Sequence, residues 1–169
     1  GDQAINDSIR GAGSLAGLSR TIPLYRQLTG KLVTLMMTLS RLNFATVAKS
    51  VEFARQTGAH DILFERFVPI GNGLGMADAV MSADNWYLAI NSILAASGLD
   101  IEADSLAACR AFGLIIDNDV PSEDRLEAAL CNLGPESMAL MPDGTVYPCR
   151  RLPIASGNIL NEPFAAIRE

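Results

Sequence analysis

A strand–helix–strand pattern over residues 32–69 constrains the fold of this chain more than any other feature. Apolar and polar residues alternate from Leu32 to Ser40, which predicts a strand. Apolar residues then recur at helical spacing from Phe44 to Ala54, and Ile62 to Pro69 again resembles a strand. Because two strands joined by a helix run parallel in one sheet, the sequence predicts an α/β fold.

Two helical regions flank this unit. Residues 2–29 read as helix in two pieces, with Pro23 marking a first turn or a kink. A longer helix is expected from Ser82 to Ser97, closed by Gly98. The glycines between residues 71 and 75 lack the spacing of a phosphate-binding motif, so they predict a flexible loop after the second strand.

The C-terminal part of the chain has a different character. Residues 99–130 carry a weak pattern, in which we expect a helix around Asp104–Ala111 and another that opens at Pro121. Between residues 137–141 and 145–148, the dipeptide Asp143-Gly144 predicts a β-hairpin. A short helix over residues 163–168 follows.

Composition narrows the class of partner. Thirteen Lys and Arg against nineteen Asp and Glu give a net charge of −6, which argues against a nucleic-acid groove or an anionic membrane surface. The longest apolar run, Leu32–Leu39, is far shorter than the roughly 20 residues of a spanning helix. We therefore expect neither nucleic acid nor a membrane as partner. Three cysteines without a disulfide pattern favour the cytoplasm.

Cys131 and Cys149 bracket the predicted hairpin and form the strongest candidate metal site. Twelve residues separate Cys131 from Gly144, and four separate Gly144 from Cys149. Thiolates held by a tight turn suit iron or zinc, which prefer soft ligands. Two thiolates alone do not complete a site, and two ordinary buried or free thiols remain the alternative.

This segment resembles a known family. Cys131–Gly134, then Met141–Cys149 with its Pro-Asp-Gly-Thr-Val-Tyr-Pro-Cys run, then Gly157–Ile159, look like the opening half of the auxiliary-cluster domain of radical S-adenosylmethionine enzymes, the SPASM or twitch domain. The family pattern is a Cys, a spacer, a Gly, four residues and a Cys, followed by Gly-Asn. This chain contains each of these parts.

The resemblance extends upstream. Ile5–Ser14 is similar to the segment that follows the fourth barrel strand of these enzymes, Leu32–Asn43 to the fifth strand, and Ala59–Gly71 to the sixth. It implies an α/β fold made of the later strands and helices of a partial (β/α) TIM-like barrel, followed by a small hairpin-containing auxiliary-cluster module. The implied domains are residues 1–98 for the barrel portion, 99–130 for a helical connector and 131–169 for the first half of the SPASM or twitch domain.

The resemblance also implies roles for single residues. Arg10 would contact the carboxylate of S-adenosylmethionine; the alternative is a surface cation on a helix. Ser40, with Thr38, lies at the end of the fifth-strand segment, and the alternative is polar filling. Arg66 and Val68 would approach the adenosine from the sixth strand. Cys131 and Cys149 would be ligands of the auxiliary cluster. Cys109 would be either a further ligand of that cluster or a thiol packed in the core. Asn43 lies at the end of the same fifth-strand segment as Thr38 and Ser40, and we expect it to cap the helix that follows.

Parts of the family pattern are missing. The closely spaced cysteine triad that binds the radical-generating cluster does not occur in this sequence. We therefore expect a fragment of an iron–sulfur oxidoreductase that is inactive alone. The intact parent would use [4Fe–4S] clusters and S-adenosylmethionine to abstract hydrogen from a peptide or small molecule. The alternative is a non-enzymatic α/β module that binds a metal or a partner. We also expect self-association through an open sheet edge.

Overall fold

The computed structural model describes residues 1–117, 119–131, 133 and 137–168, and the chain divides into two compact units. Unit 1 is Gly1–Leu130 and unit 2 is Cys131–Glu169. The α-helices are α1 Gln3–Arg10, α2 Ser14–Thr29, α3 Val47–Thr57, α4 Ala83–Ser97 and α5 Phe164–Arg168. The strands are β1 Thr34–Leu39, β2 Asp61–Arg66, β3 Ala111–Ile115, β4 Leu126–Ala129, β5 Ala139–Leu140, β6 Thr145–Tyr147 and β7 Gly157–Asn158.

Unit 1 contains a four-stranded mixed sheet in the order β1-β2-β3-β4. β1 and β2 pair in parallel and are joined by α3, which confirms the predicted strand–helix–strand unit and the α/β class. β3 is antiparallel to both β2 and β4. The sheet is therefore parallel on one side and antiparallel on the other.

The N-terminal helices are two pieces, as predicted, but Pro23 does not separate them. The break lies at Gly11 and Gly13, whose φ angles of 98° and 78° are costly for residues with a Cβ atom. Pro23 lies inside α2, which continues to Thr29. Two helix ends agree with the sequence: the Ser82 side chain accepts from the Asn85 N–H at 3.2 Å, and Gly58 ends α3 at φ 73°.

The prediction for residues 99–130 was wrong. In place of a helix over 104–111, a 3-10 turn at Ala103–Leu106 leads into β3. The predicted helix at Pro121 is a 3-10 turn at Ser122–Asp124 that leads into β4. Pairing with β2 explains the difference, because it buries Phe112 and Leu114 completely or nearly so, and this burial outweighs the helical propensity of the local sequence.

The main core lies on one face of the sheet. There the apolar side chains of β1, β2 and β3 pack with those of α3 and α4 in one buried cluster, whose largest members are Leu39, Ile62, Phe64, Trp86, Ile90, Ile93, Phe112 and Leu114. The opposite face carries the other set of alternating residues, including Met36, Thr38 and Glu65. Met36 is 55% exposed, so this face is open where β1 crosses it.

Unit 2 is built around the predicted hairpin. β5 and β6 are antiparallel and flank the Asp143-Gly144 turn, as expected. Gly157–Asn158 form β7, a third strand that pairs with β6. The short helix predicted over residues 163–168 is confirmed as α5.

The glycine-rich segment after β2 is more ordered than predicted. It forms 3-10 turns over Gly71–Ala79, interrupted at Met76. No helix among the described residues combines the length and the apolar character that a membrane crossing requires.

Candidate functional site

A cavity of about 110 Å³ in unit 1 brings together several of the predicted site residues. It lies among α1, α2, α3 and β1, and its walls are mainly apolar. Arg10, Thr38 and Asn43 all line it. The other polar lining residues are Asp2, Asn6, Thr46 and Ser50. The cavity therefore combines Arg10 with one carboxylate, Asp2, and with amides and hydroxyls against an apolar wall, which suits a ligand with both charged and apolar parts.

Arg10 is the last residue of α1 and is exposed to solvent at the cavity. No ion pair among the described residues involves it. The helix ends directly after it, at Gly11. A guanidinium in this position can donate two parallel hydrogen bonds to a carboxylate or phosphate.

Asp7 links α1 to the start of α2. Its carboxylate accepts hydrogen bonds from the backbone N–H of Gly13 at 2.8 Å and of Leu15 at 3.2 Å. The Ser14 hydroxyl donates to the same carboxylate at 3.1 Å, and the Asn6 amide does so at 3.3 Å. The Gly13 N–H is the main reason that the pKa of Asp7 lies below its ordinary value of 3.8, with smaller contributions from the other donors. This network therefore keeps its charge at neutral pH and is lost only as the pH falls through that lowered pKa.

Asn43 holds the end of β1 and does not cap a helix. Its side chain makes no cap hydrogen bond to the following helical turn. Instead its Oδ1 accepts from the Ser40 N–H at 2.8 Å, and its Nδ2 donates to the Thr38 carbonyl at 3.0 Å. The expectation of helix capping for Asn43 was wrong, because the strand-end backbone is a closer partner than the helical N–H groups.

Ser40 is buried directly behind this strand end. Its hydroxyl donates to Asn43 Oδ1 at 3.3 Å and accepts from the Leu42 N–H at 3.3 Å. Ser40 does not line the cavity, so its visible role is to support the turn that carries Asn43.

Arg66 and Val68 lie away from this cavity. Arg66 is on the face of the sheet that carries the core, and its guanidinium carbon lies 5.1 Å from the centre of the Trp86 ring. Val68 follows β2, where its carbonyl accepts from the Ile70 N–H at 3.0 Å. Glu65, the neighbour of Arg66, points to the opposite face, where it is buried and pairs with Arg110 at 3.0 Å. The structure therefore brings Arg10, Thr38 and Asn43 together, whereas Arg66 and Val68 lie elsewhere.

Sequence reasoning missed four polar residues of this region. Asn6, Thr46 and Ser50 line the cavity, and Asp7 fixes the turn beside it. Thr46 and Ser50 donate to backbone carbonyls of Asn43 and Thr46, as helical Ser and Thr often do. The sequence does contain a signal for Asp7. Because α2 begins after glycines and has no capping side chain of its own, a polar side chain from a neighbouring segment is expected to cap it.

The three cysteines lie in different surroundings, and none forms a disulfide. Cys109 is buried in the core of unit 1, although not on the helix that the sequence predicted. Cys131 is exposed and Cys149 is half-buried. The Cys149 sulfur accepts a hydrogen bond from the Arg151 N–H at 3.4 Å, in a short turn closed by the bridge between Cys149 and Leu152. In iron–sulfur proteins, hydrogen bonds of this kind to a ligand sulfur tune the reduction potential of the cluster.

No metal site is assembled among the described residues. No group of three or more His, Cys, Asp and Glu side chains in that part of the chain is placed to hold an ion. The donor chemistry of Cys149 and Cys131 suits iron–sulfur ligation, but two thiols are fewer than the four ligands of a [4Fe–4S] cluster.

Comparisons with known proteins gave no match: no family model, no curated protein and no solved structure is significantly similar to this chain.

Proposed function

We propose that this chain is part of a radical S-adenosylmethionine enzyme, with an auxiliary iron–sulfur cluster held in unit 2 and S-adenosylmethionine bound beside Arg10. The observation that carries the proposal is the turn at Cys149. It follows the Asp143-Gly144 hairpin of the sequence pattern, and it offers a half-buried sulfur with a backbone N–H donor at 3.4 Å.

The cluster half of the proposal rests on Cys131 and Cys149. Both belong to unit 2, which contains little apolar core of its own. They would supply two thiolates of the ligand set, and further ligands would come from elsewhere in the parent enzyme. When bound, such a cluster supplies electron-transfer chemistry or a binding point for substrate.

The S-adenosylmethionine half rests on the cavity of unit 1. The guanidinium of Arg10 suits the carboxylate of the methionine part, and the side-chain carbonyl of Asn6, whose amide N–H groups bond to Ser14 and Asp7, suits its ammonium group. The apolar side chains of Leu35 and Phe53 suit the methylene groups of this part. At about 110 Å³ the cavity would enclose only the methionine part, and the adenosine would extend outside it. Arg66 and Val68 do not line this cavity, so they would contact the ligand only if a second part of the binding site lay beside β2.

The parallel pair β1–β2 supports the partial-barrel part of the proposal, whereas the antiparallel strands β3 and β4 would lie outside the barrel. Helices cover one face, as in a (β/α) barrel, and β1 and β2 are parallel with Thr38 and Glu65 on the other face. In a barrel that face would line the lumen. A peptide or small-molecule substrate would then meet the radical there.

Iron loading tests the cluster assignment. The full chain is reconstituted with iron and sulfide without oxygen, as wild type and as the variants Cys131→Ala, Cys149→Ala and Cys109→Ala. We expect the two unit 2 variants to lose most of the bound iron and its visible absorption. Cys109→Ala, a matched cysteine variant in the buried core, should retain both. Equal iron in all four proteins would refute the assignment.

The alternative is a non-enzymatic α/β module that binds a metal or a partner. It agrees with the Cys149 turn equally well, but it gives no role to Arg10 at the cavity. Calorimetric titration with S-adenosylmethionine separates the two: we expect binding by the wild type, and about tenfold weaker binding by Arg10→Ala, the effect of losing about 1.4 kcal/mol. Arg20→Ala, on the exposed surface of α2, is the control. Iron binding without any S-adenosylmethionine binding would favour the alternative.

We further propose that the chain self-associates through the outer edge of β1. β1 is the terminal strand of its sheet, and Met36 is exposed on it. Light scattering over a concentration series should show dimers or larger species, and Thr34→Lys, at an exposed β1 position that does not line the cavity, should reduce them. A monomer at the highest concentration would contradict this proposal.

A further inference from the structure

We propose that Asp7 is a positioning residue that fixes the direction in which Arg10 points into the cavity. The identity of the ligand rests on the proposed function, but the link between Asp7 and Arg10 rests on contacts within unit 1. Asp7 and Arg10 are three residues apart on α1, so they lie on the same side of the helix.

The turn between α1 and α2 has no side chains that could hold it. It consists of Gly11, Ala12 and Gly13, and both glycines adopt positive φ angles. No protein atom lies close enough to contact a Cβ built at either glycine. The turn is therefore open, and its conformation depends on hydrogen bonds.

Those hydrogen bonds converge on Asp7. Its backbone carbonyl accepts from the Gly11 N–H at 2.9 Å, directly after Arg10. Its carboxylate accepts from the Gly13 and Leu15 N–H groups at 2.8 and 3.2 Å, on the far side of the turn. One residue thus holds both ends of the turn, and Arg10 is the last residue before it.

A second connection runs through Asn6. Its side-chain amide donates to the Ser14 hydroxyl at 2.6 Å and to the Asp7 carboxylate at 3.3 Å. Asn6 also lines the cavity beside Arg10. The carboxylate of Asp7 therefore contacts one group of the cavity wall directly, the Asn6 side chain, and acts on the other, Arg10, only through the turn that follows it.

A role confined to helix stability makes a different prediction. Gly13 offers α2 no capping side chain, so Asp7 acts as a cap supplied by the preceding helix. If this were its whole role, a substitution would lower the melting temperature and leave the affinity of the folded protein unchanged. A positioning role requires the affinity to fall as well, and to fall more when Arg10 is present.

The test is a double-mutant cycle on the full chain with S-adenosylmethionine as the titrated ligand. Asp7→Asn keeps the shape of the side chain but replaces one acceptor oxygen with a donor. We expect about tenfold weaker binding for Asp7→Asn in the wild-type background. In the Arg10→Ala background the same substitution should have a clearly smaller effect, because only its contact with Asn6 then remains.

Ser82→Ala is the matched control, since it removes the side-chain cap of α4, away from the cavity. It should lower the melting temperature without changing the affinity. An equal loss of affinity from Asp7→Asn in both backgrounds, or no loss in either, would overturn the positioning role.

A readout without ligand separates this inference from the proposed function. In the wild type, the Nε–H of Arg10 should give one resolved NMR signal, and Asp7→Asn should broaden or shift it more than Ser82→Ala does. If the wild type does not bind S-adenosylmethionine but this signal changes as expected, the proposed function fails and the positioning role holds. If the ligand binds and the Arg10 signal is the same in the wild type and Asp7→Asn, the positioning role fails. Asp7→Ser, which retains one acceptor, provides the same test if Asp7→Asn does not fold.

Discussion

The two units of this chain are stabilised in different ways. In unit 1, helices and sheet share one continuous buried apolar cluster that includes Phe64, Trp86 and Phe112. Among the described residues of unit 2, the buried apolar side chains are Val146 and Ile167. Unit 2 is also near the roughly 40-residue size below which folded domains usually need disulfides, metals or association. Apolar burial can therefore account for the stability of unit 1 but not for that of unit 2.

Hydrogen bonds and close backbone packing hold unit 2 together. Asp143 accepts from the Thr145 N–H at 3.0 Å, and the Asn158 amide donates to the Asp143 carbonyl at 3.0 Å. At Gly144, with φ 83°, an added Cβ would lie 2.7 Å from Asn158 Oδ1 and 2.8 Å from Leu160 Cγ. Only glycine fits there. Each such hydrogen bond contributes about 1 kcal/mol net, so a bound metal would add a substantial part of the stability.

The largest expected effect is the loss of a core side chain in unit 1. Phe112 is fully buried on β3 and its ring lies 5.6 Å from that of Trp86. We expect Phe112→Ala to destabilise unit 1 by about 3–5 kcal/mol, because it removes apolar burial and leaves a cavity. Trp86 is the only tryptophan, so its fluorescence during urea unfolding measures this loss. An effect below about 1 kcal/mol would contradict the assignment of the core.

The second prediction concerns metal and unit 2. Iron–sulfide loading should slow proteolysis within residues 131–169 and leave cleavage of unit 1 unchanged. At a free metal concentration 100 times the dissociation constant, the stabilisation would be about 2.7 kcal/mol. Mass spectrometry of the fragments locates the protected sites. Cys149→Ala should abolish the protection. Equal protection of both units would contradict the prediction, because the metal would then stabilise unit 1 as well.

The smallest expected effect is a pH dependence in the hairpin. The Thr145 N–H is the main reason that the pKa of Asp143 lies below its ordinary value of 3.8. The ionised carboxylate therefore stabilises unit 2 above about pH 3.8, and this contribution is lost as the pH falls through the lowered pKa of the folded state. In Asp143→Asn the Thr145 amide signal should no longer shift over this pH range. Asp100→Asn, on the exposed surface of unit 1, should behave as wild type.

Local patterns predicted much of the fold. The strand–helix–strand unit of β1, α3 and β2, the helix α4 and the β5–β6 hairpin were all predicted, because each depends on neighbouring residues and strong turn signals. β3 and β4 were not predicted. Their sequences are short and rich in alanine and leucine. They become strands only because β3 pairs with β2, which is distant in the chain, and β4 pairs with β3.

The candidate site was predictable to a similar degree. Arg10 and Thr38 came from the family resemblance, and the structure places both at one cavity. The role of Asp7 depends on how α1 and α2 meet, and no spacing rule describes that turn. Arg66 shows the opposite case: its contact with Trp86 requires α4 to pack over β2, which the sequence of β2 does not reveal.

The amide of Asn43 has a consequence for how the sheet can grow. The carbonyls of Val33 and Leu39 accept hydrogen bonds from N–H groups of the segment that contains β2. Because the backbone groups of successive residues point to opposite sides of a strand, those of Thr34, Met36 and Thr38 face the outer edge of β1. Asn43 already occupies the Thr38 carbonyl, in the way that a neighbouring strand would. An incoming strand can therefore form its ladder only alongside Thr34 and Met36. Asn43 therefore limits the register in which a further strand can pair with β1.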